Sequence, residues 1–114
     1  MRALFICSQN RFRSPTAEAI FSSHEGVETL SAGLNNDATT PLTGDLIDWA
    51  KIIFVMEKSH RNRLNRKFRS LLRTKHVVTL GIPDDYEYME PELVNLLRHR
   101  VAPHLRRRRE DTGV

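Results

Sequence analysis

The sequence predicts a single doubly wound α/β domain, a four-stranded parallel sheet in the order 2-1-3-4 with helices on both faces. Three observations predict it. Short apolar runs alternate along the chain with segments of helical period, giving the order βαβαβαβα of a parallel sheet joined by right-handed crossovers. One of those runs, Ile52-Ile53-Phe54-Val55-Met56, is apolar at every position, as a strand covered on both faces requires. The 114 residues contain no internal repeat and no linker-like stretch, which suits one core.

Arg2 to Ile6 reads as the first strand, because Ala3, Leu4, Phe5 and Ile6 are continuously apolar. The polar segment Cys7 to Arg13 follows, and then a helix predicted to open at Ser14-Pro15. Serine there suits the cap, and proline the first helical position. Ala17, Ile20 and Phe21 recur at helical spacing through about Ser23. Gly26 ends that pattern, and Glu28 to Ala32 forms a second strand closed by Gly33. Residues 34–42 are turn-rich. Thr43 caps a short helix through Ala50 that buries Leu46, Ile47 and Trp49, and the third strand comes next. Ser59 to Leu72 sets Leu64, Phe68, Leu71 and Leu72 on one helical face, with most of the local basic residues opposite. His76 to Leu80 is the fourth strand. After a Gly81-Ile82-Pro83 loop, a last helix opens at Pro91, turns Val94, Leu97 and Val101 inward and is disrupted by Pro103. The folded domain is expected over 1–103, with 104–114 a flexible basic tail.

Composition narrows the function classes. A single cysteine excludes an internal disulfide framework and a four-cysteine zinc site. No apolar run approaches the roughly 18 residues of a membrane span, and the Met-Arg-Ala-Leu-Phe-Ile-Cys start is too short for a secretory signal. A cytoplasmic domain is expected. The five histidines, His24, His60, His76, His99 and His104, show no ligand spacing, so they read as surface or capping residues and no metal or other cofactor is implied. Lys and Arg total 18 against 14 acids, for a formal charge of +4. Residues 58–75 and 98–109 hold fourteen of those basic residues and no acid. Such blocks can serve a polyanion or form a solvated helix face. Nucleic-acid binding is disfavoured, because the blocks lack interleaved exposed aromatics.

Arg11 and Arg13 lie beside the only cysteine. Cys7-Ser8-Gln9-Asn10-Arg11-Phe12-Arg13-Ser14 is a C-x5-R-S segment between a strand and a helix N-terminus. A lone cysteine at the end of a buried strand is usually a small core residue. This context points to phosphate-ester chemistry instead. The backbone from Ser8 to Phe12 can curl its N–H groups, with Ser14, around one tetrahedral anion, and the helix dipole adds positive potential there. Arg13 can return to grip two phosphate oxygens as a fork, and the same field favours a thiolate for in-line attack on phosphorus.

The stretch Ile6 to Glu18 resembles the signature of the low-molecular-weight protein tyrosine phosphatases. Ser31-Ala32-Gly33, Ile53-Phe54-Val55-Met56-Glu57 and Pro83-Asp84-Asp85-Tyr86 are similar to further family pieces in the same order. The resemblance implies Cys7 as nucleophile, Arg13 as phosphate ligand and Asp84 as proton donor to the leaving oxygen. Asp85 next door is the alternative acid. It also implies that Asn10, Ser14 and Ser31 hold the loop in shape, and that Tyr86 flanks the pocket entrance; Tyr88 can line the pocket or pack on the last helix. Independently, Cys7 and Asp84 follow strands one and four, which brings both to the carboxyl edge where open α/β sheets bind ligands. Three departures stand out: Gln9 where the family has glycine, Phe12 where it often has a second cysteine, and Asp85 where proline follows the acid.

The expected activity is hydrolysis of a phosphomonoester, with phosphotyrosine in proteins the foremost substrate, through a phosphocysteine intermediate and with inorganic phosphate as product. One alternative is a non-catalytic phosphate or polyanion binder that uses the same loop and the basic blocks. Another, an arsenate reductase, would need an external thiol, because no second cysteine is present.

Overall fold

A computed structural model describes residues 1–113, with side chains as far as Leu105. The elements are β1 (Arg2–Cys7), α1 (Arg13–Phe21), β2 (Glu28–Gly33), α2 (Gly44–Trp49), β3 (Ile52–Val55), α3 (Lys58–Phe68), a 3-10 turn (Arg69–Leu72), β4 (His76–Thr79) and α4 (Pro91–Gly113). All strand pairs are parallel and the order is β2-β1-β3-β4, as the alternating pattern predicts.

The two central strands are buried on both faces, and their side chains divide by alternation. Ala3, Phe5 and Cys7 join Ile52, Phe54 and Met56 on one face, against Phe21 of α1 and Leu93, Leu97, Val101 and Leu105 of α4. Leu4, Ile6, Ile53 and Val55 point the other way, against Ile47 of α2 and Leu64 of α3. The Phe5 ring stacks on both Phe54 and Phe21, with centroids 5.1 and 5.9 Å away. Burying aromatic rings of this size supplies much of the driving force for one layer to close on the sheet. Trp49 and Phe68 are only half-buried; Trp49 lies under the Arg2 guanidinium at 5.8 Å.

The last helix departs from expectation in two ways. Its core stripe is Leu93, Leu97, Val101 and Leu105, spaced by four, whereas Val94 sits half-buried on the flank. Pro103 does not end the helix but lies inside it, on the exposed side. An internal proline costs about 3 kcal/mol. Full burial of Leu105 offsets much of this, at about 1.5–3 kcal/mol, and His104 adds edge contacts to Phe54 and His76 at 5.8 and 6.2 Å. The core therefore reaches past residue 103. The α4 backbone continues through the rest of the expected tail to Gly113, and the side chains of Arg106 to Arg109 lie outside those described. Among the described residues no helix is long and apolar enough to cross a membrane.

Candidate active site

Cys7 ends β1 and Arg13 opens α1, so the residues between them form a loop at the carboxyl edge of the sheet, next to β3. This is the reversal point of the strand order: the chain leaves β1 for β2 on one side and returns to β3 on the other.

Asn10 holds the loop from inside. Its φ of +57° is the left-handed conformation that a short polar side chain tolerates. Its N–H reaches Cys7 Sγ at 3.2 Å, and Nδ2 donates to Ser14 Oγ and Ser31 Oγ, both at 2.9 Å. Ser31 in turn donates to Glu18. Because the positive φ falls on Asn10 and not on Gln9, the missing glycine leaves no backbone strain at residue 9. Ser14 is fully buried with its hydroxyl 2.9 Å from Cys7 Sγ. It does not cap the helix as expected. The helix begins two residues earlier, with Phe12 at the cap position and no side-chain cap, and the Ser14 hydroxyl is engaged inside the loop.

The following segment supports the loop from behind. Leu34, Asn35 and Thr39 donate their N–H groups to the carbonyls of Cys7, Ser8 and Gln9 at 2.9, 3.0 and 3.0 Å. Gly33 permits this approach: a Cβ there would stand 2.6 Å from the Ser8 carbonyl oxygen and 3.0 Å from the Asn10 nitrogen. On the open side, the N–H groups of Ser8, Gln9, Arg11 and Phe12 donate to no backbone carbonyl among the described residues. No acid stands in the first turn of α1. Orphan amides at a helix N-terminus without a local carboxylate make an anion site.

Arg13 is 3% exposed. Its Nη1 donates to Glu57 Oε2 at 2.6 Å and to the Ile82 carbonyl at 2.8 Å, which fixes the guanidinium plane and leaves the Nε–Nη2 edge for two oxygens of a phosphate. Asp84 Oδ1 lies 3.7 Å from Nε, with its side chain 67% exposed. The structure thus brings Asp84 to Arg13. Asp85 is exposed and contacts Tyr86 electrostatically. Tyr86 packs against the core face that carries Cys7, and burial with the nearby acids Glu92, Asp85 and Glu90 pushes its phenol above 10, so it stays neutral. Tyr88 lies along the flank of α1, with Pro15, Glu18, Ala19 and Ser22. Phe12 is exposed at the loop rim, and Arg11 is exposed beside it.

Underneath the loop sits His60, 2% exposed. Its Nδ1 accepts from the Glu57 N–H at 3.1 Å, which places the ring proton on Nε2, 2.9 Å from Ser8 Oγ. Burial, with Arg13 close by, pushes His60 from 6.5 down to about 4. The neutral ring orients the Ser8 hydroxyl without adding a charge. Below pH 6.5 the unfolded chain takes a proton on His60 and the folded chain does not until about pH 4. Stability must therefore fall as pH falls through that window, by up to about 3 kcal/mol from this group. Urea denaturation of wild type and His60→Asn should show it: the variant lacks this part of the acid slope. Parallel slopes would mean His60 is protonated alike in both states.

Comparisons with known proteins follow the same geometry. No family model and no curated protein matches the chain. Solved structures do. YwlE arginine phosphatase from Geobacillus stearothermophilus superposes with a TM-score of 0.73 at 23% identity over 96% of each chain. A YwlE arginine phosphatase C7S mutant with a phosphorylated active site serine gives 0.70 at 25%, covering 93% of this chain and 96% of that one. SP-PTP, a low molecular weight protein tyrosine phosphatase from Streptococcus pyogenes, gives 0.76 at 16%, covering 93% and 91%. The fold is that of the low-molecular-weight protein tyrosine phosphatases.

Within this low-molecular-weight phosphatase fold, sequence reasoning missed three buried or half-buried contributors. Glu57 was placed in a matching segment but given no role, although an acid directly after a central strand is brought to the same edge as Cys7. His60 has the capping role expected of the histidines, in a reciprocal pair with Glu57, but its burial and its bond to Ser8 are not marked in the sequence. Thr16, fully buried, donates to the Phe12 carbonyl at 2.6 Å and accepts the Met89 N–H at 2.9 Å, tying α1 to the end of the Asp84 loop. Nothing in the sequence marked Thr16. Among the described residues no His, Cys, Asp and Glu group is placed to hold a metal. A cavity of about 680 Å³ lies at the opposite edge of the sheet beside Met1, Trp49 and Lys75. It contains none of the groups described above, and phosphate held by backbone amides does not require it.

Proposed function

We propose that the protein is a cysteine-dependent phosphomonoester hydrolase acting on phosphotyrosine in proteins. The observation that carries this reading is the convergence on one sulfur. Cys7 Sγ has the Asn10 N–H at 3.2 Å and the Ser14 hydroxyl at 2.9 Å, at the N-terminus of a helix whose first residue is a buried arginine paired at its rim with Asp84. Two donors aimed at sulfur stabilise a thiolate, and the amides around it sit where phosphate oxygens gather charge.

In the first step the Cys7 thiolate attacks phosphorus, an S–P bond forms, and the bond to the phenolic oxygen breaks. That oxygen leaves with a proton from Asp84. In the second step the Asp84 carboxylate takes a proton from water as the water oxygen attacks phosphorus, the S–P bond breaks, and inorganic phosphate and thiolate are released. An entering phosphate displaces Asp84 from the Arg13 Nε and so turns its carboxyl toward the leaving group. The phosphorylated serine in the YwlE mutant supports a covalent route in this fold. An aryl ester fits the rim better than a phosphorylated guanidinium does, because exposed Arg11 would repel a second cation but not a neutral ring.

A loop disrupted at Gln9 would favour a non-catalytic binder, and Gln9 has no positive φ. Asp84→Ala and Asp85→Ala, assayed on a phosphotyrosine peptide, test the assignment of the acid. We expect kcat to fall about 10²- to 10³-fold for Asp84→Ala and less than about threefold for Asp85→Ala. A reversed order would move the role to Asp85, and wild-type turnover of phosphoarginine but not phosphotyrosine would overturn the substrate class.

A further inference from the structure

The basic block on α3 is not spread evenly over solvent. Arg63, Arg66 and Lys67 converge with Leu34 around a hollow of about 260 Å³. Positions three and four apart on one helix are neighbours, so this places three like charges side by side, an arrangement that costs helix stability. No acid offsets them. Among the described residues the ion pairs are Arg2–Glu28, Arg13–Glu57 and Arg13–Asp84, with neutral His60 3.8 Å from Glu57, and none involves these three cations. Arg63 donates to the neutral Asn35 Oδ1 at 2.7 Å, which orients its guanidinium and leaves the charge intact.

The hollow adjoins the phosphate loop. Leu34, which forms its wall, gives its N–H to the carbonyl of Cys7 itself at 2.9 Å, and Asn35 does the same for Ser8 at 3.0 Å. The wall of the hollow is therefore tied by one hydrogen bond to the backbone of the residue that carries the nucleophile. Arg61, in the same block, points elsewhere and donates to the Val77 carbonyl and Thr79 on β4. Glu57 is the acid nearest the basic block in sequence and is already paired with Arg13, while Asp37, three residues after Leu34, is exposed and joins none of these ion pairs.

We propose that Leu34, Arg63, Arg66 and Lys67 form a second anion subsite, which holds an acidic side chain of the protein substrate close to its phosphorylated residue. This rests on the phosphatase reading and adds to it the substrate class: phosphotyrosine in an acidic segment. The hollow has room for an acidic side chain with its adjoining backbone but not for a folded element, and its uncompensated charge supplies the complementarity. Attraction of this kind strengthens binding of the flanking segment and leaves the chemistry at phosphorus unchanged, so it belongs in KM.

The test is the double reversal Arg66→Glu/Lys67→Glu, which touches no residue of the loop or its acid. Three substrates are compared: p-nitrophenyl phosphate and two phosphotyrosine peptides of equal length, one flanked by Asp and Glu, the other by Ser and Gln. At low salt we expect wild type to show a KM about tenfold lower for the acidic peptide. The reversal should abolish that preference while leaving p-nitrophenyl phosphate kinetics within about twofold of wild type. About 0.5 M salt should erase the preference in wild type, as screening of exposed charges requires. Equal KM values for the two peptides in wild type, or a preference that survives the reversal, would overturn the subsite. So would stronger competition by a single-stranded oligonucleotide than by the acidic peptide, which would assign the hollow to nucleic acid. Failure of wild type to hydrolyse even p-nitrophenyl phosphate would instead defeat the phosphatase reading, and the subsite with it.

Discussion

Cys7→Ser is expected to lower turnover of p-nitrophenyl phosphate by at least about 10⁴-fold, while the folded protein should still bind inorganic phosphate. The two halves of this result come from different atoms. Binding rests on the loop amides, the α1 N-terminus and Arg13, none of which the substitution removes. Turnover needs an anionic nucleophile with a weak bond to phosphorus, and a serine hydroxyl supplies neither at neutral pH. A serine oxygen fits the space between the Ser14 hydroxyl and the Asn10 N–H, because those donors stand 2.9 and 3.2 Å from the present sulfur. Steady-state kinetics, with phosphate affinity by calorimetry, separate the halves. Residual activity equal to wild type would show that Cys7 is a buried core thiol. Loss of phosphate binding together with activity would show that the loop collapses without sulfur.

Why Cys7, Arg13, Asn10 and Ser14 could be picked out from sequence is a matter of distance along the chain. All belong to one strand–loop–helix unit, where spacing fixes geometry: five residues close a loop and the helix dipole direction follows from chain direction. The sheet order was equally accessible, because βα alternation and crossover handedness leave few arrangements. What stayed hidden depends on contacts between distant segments. Glu57 meets Arg13 across 44 residues and His60 meets Ser8 across 52, and no local rule predicts such pairs. The errors at Ser14 and Pro103 have a different origin. Each residue has a strong local preference, one for a cap and the other for a break. Tertiary demands override both: Ser14 is drawn to the sulfur, and burial of Leu105 carries the helix through Pro103.

Arg13→Lys is expected to lower kcat/KM by about 10³-fold, and Glu57→Gln by only about tenfold. The ranking follows from the geometry. The Arg13 guanidinium does two tasks with separate edges: Nη1 anchors it to Glu57 Oε2 at 2.6 Å and to the Ile82 carbonyl at 2.8 Å, and the Nε–Nη2 edge presents to substrate. A lysine has one ammonium, which cannot hold both anchors and also bridge two phosphate oxygens. It would settle on Glu57, the nearer and charged partner, and withdraw from the loop. Glu57→Gln removes one anchor's charge but leaves the Ile82 carbonyl, so the fork tilts without leaving. The Glu57 side chain is 38% exposed, so loss of its partner costs it little solvation, whereas Arg13 at 3% would be left buried beside a neutral amide. The pair should thus be strongly non-additive: the double variant is about as slow as Arg13→Lys alone, because with lysine present Glu57 no longer orients a fork. Measuring kcat/KM for all four proteins on a phosphotyrosine peptide gives the coupling directly. Additive losses would mean that Glu57 acts on substrate by itself, and an Arg13→Lys enzyme within tenfold of wild type would mean that a point charge suffices at this position.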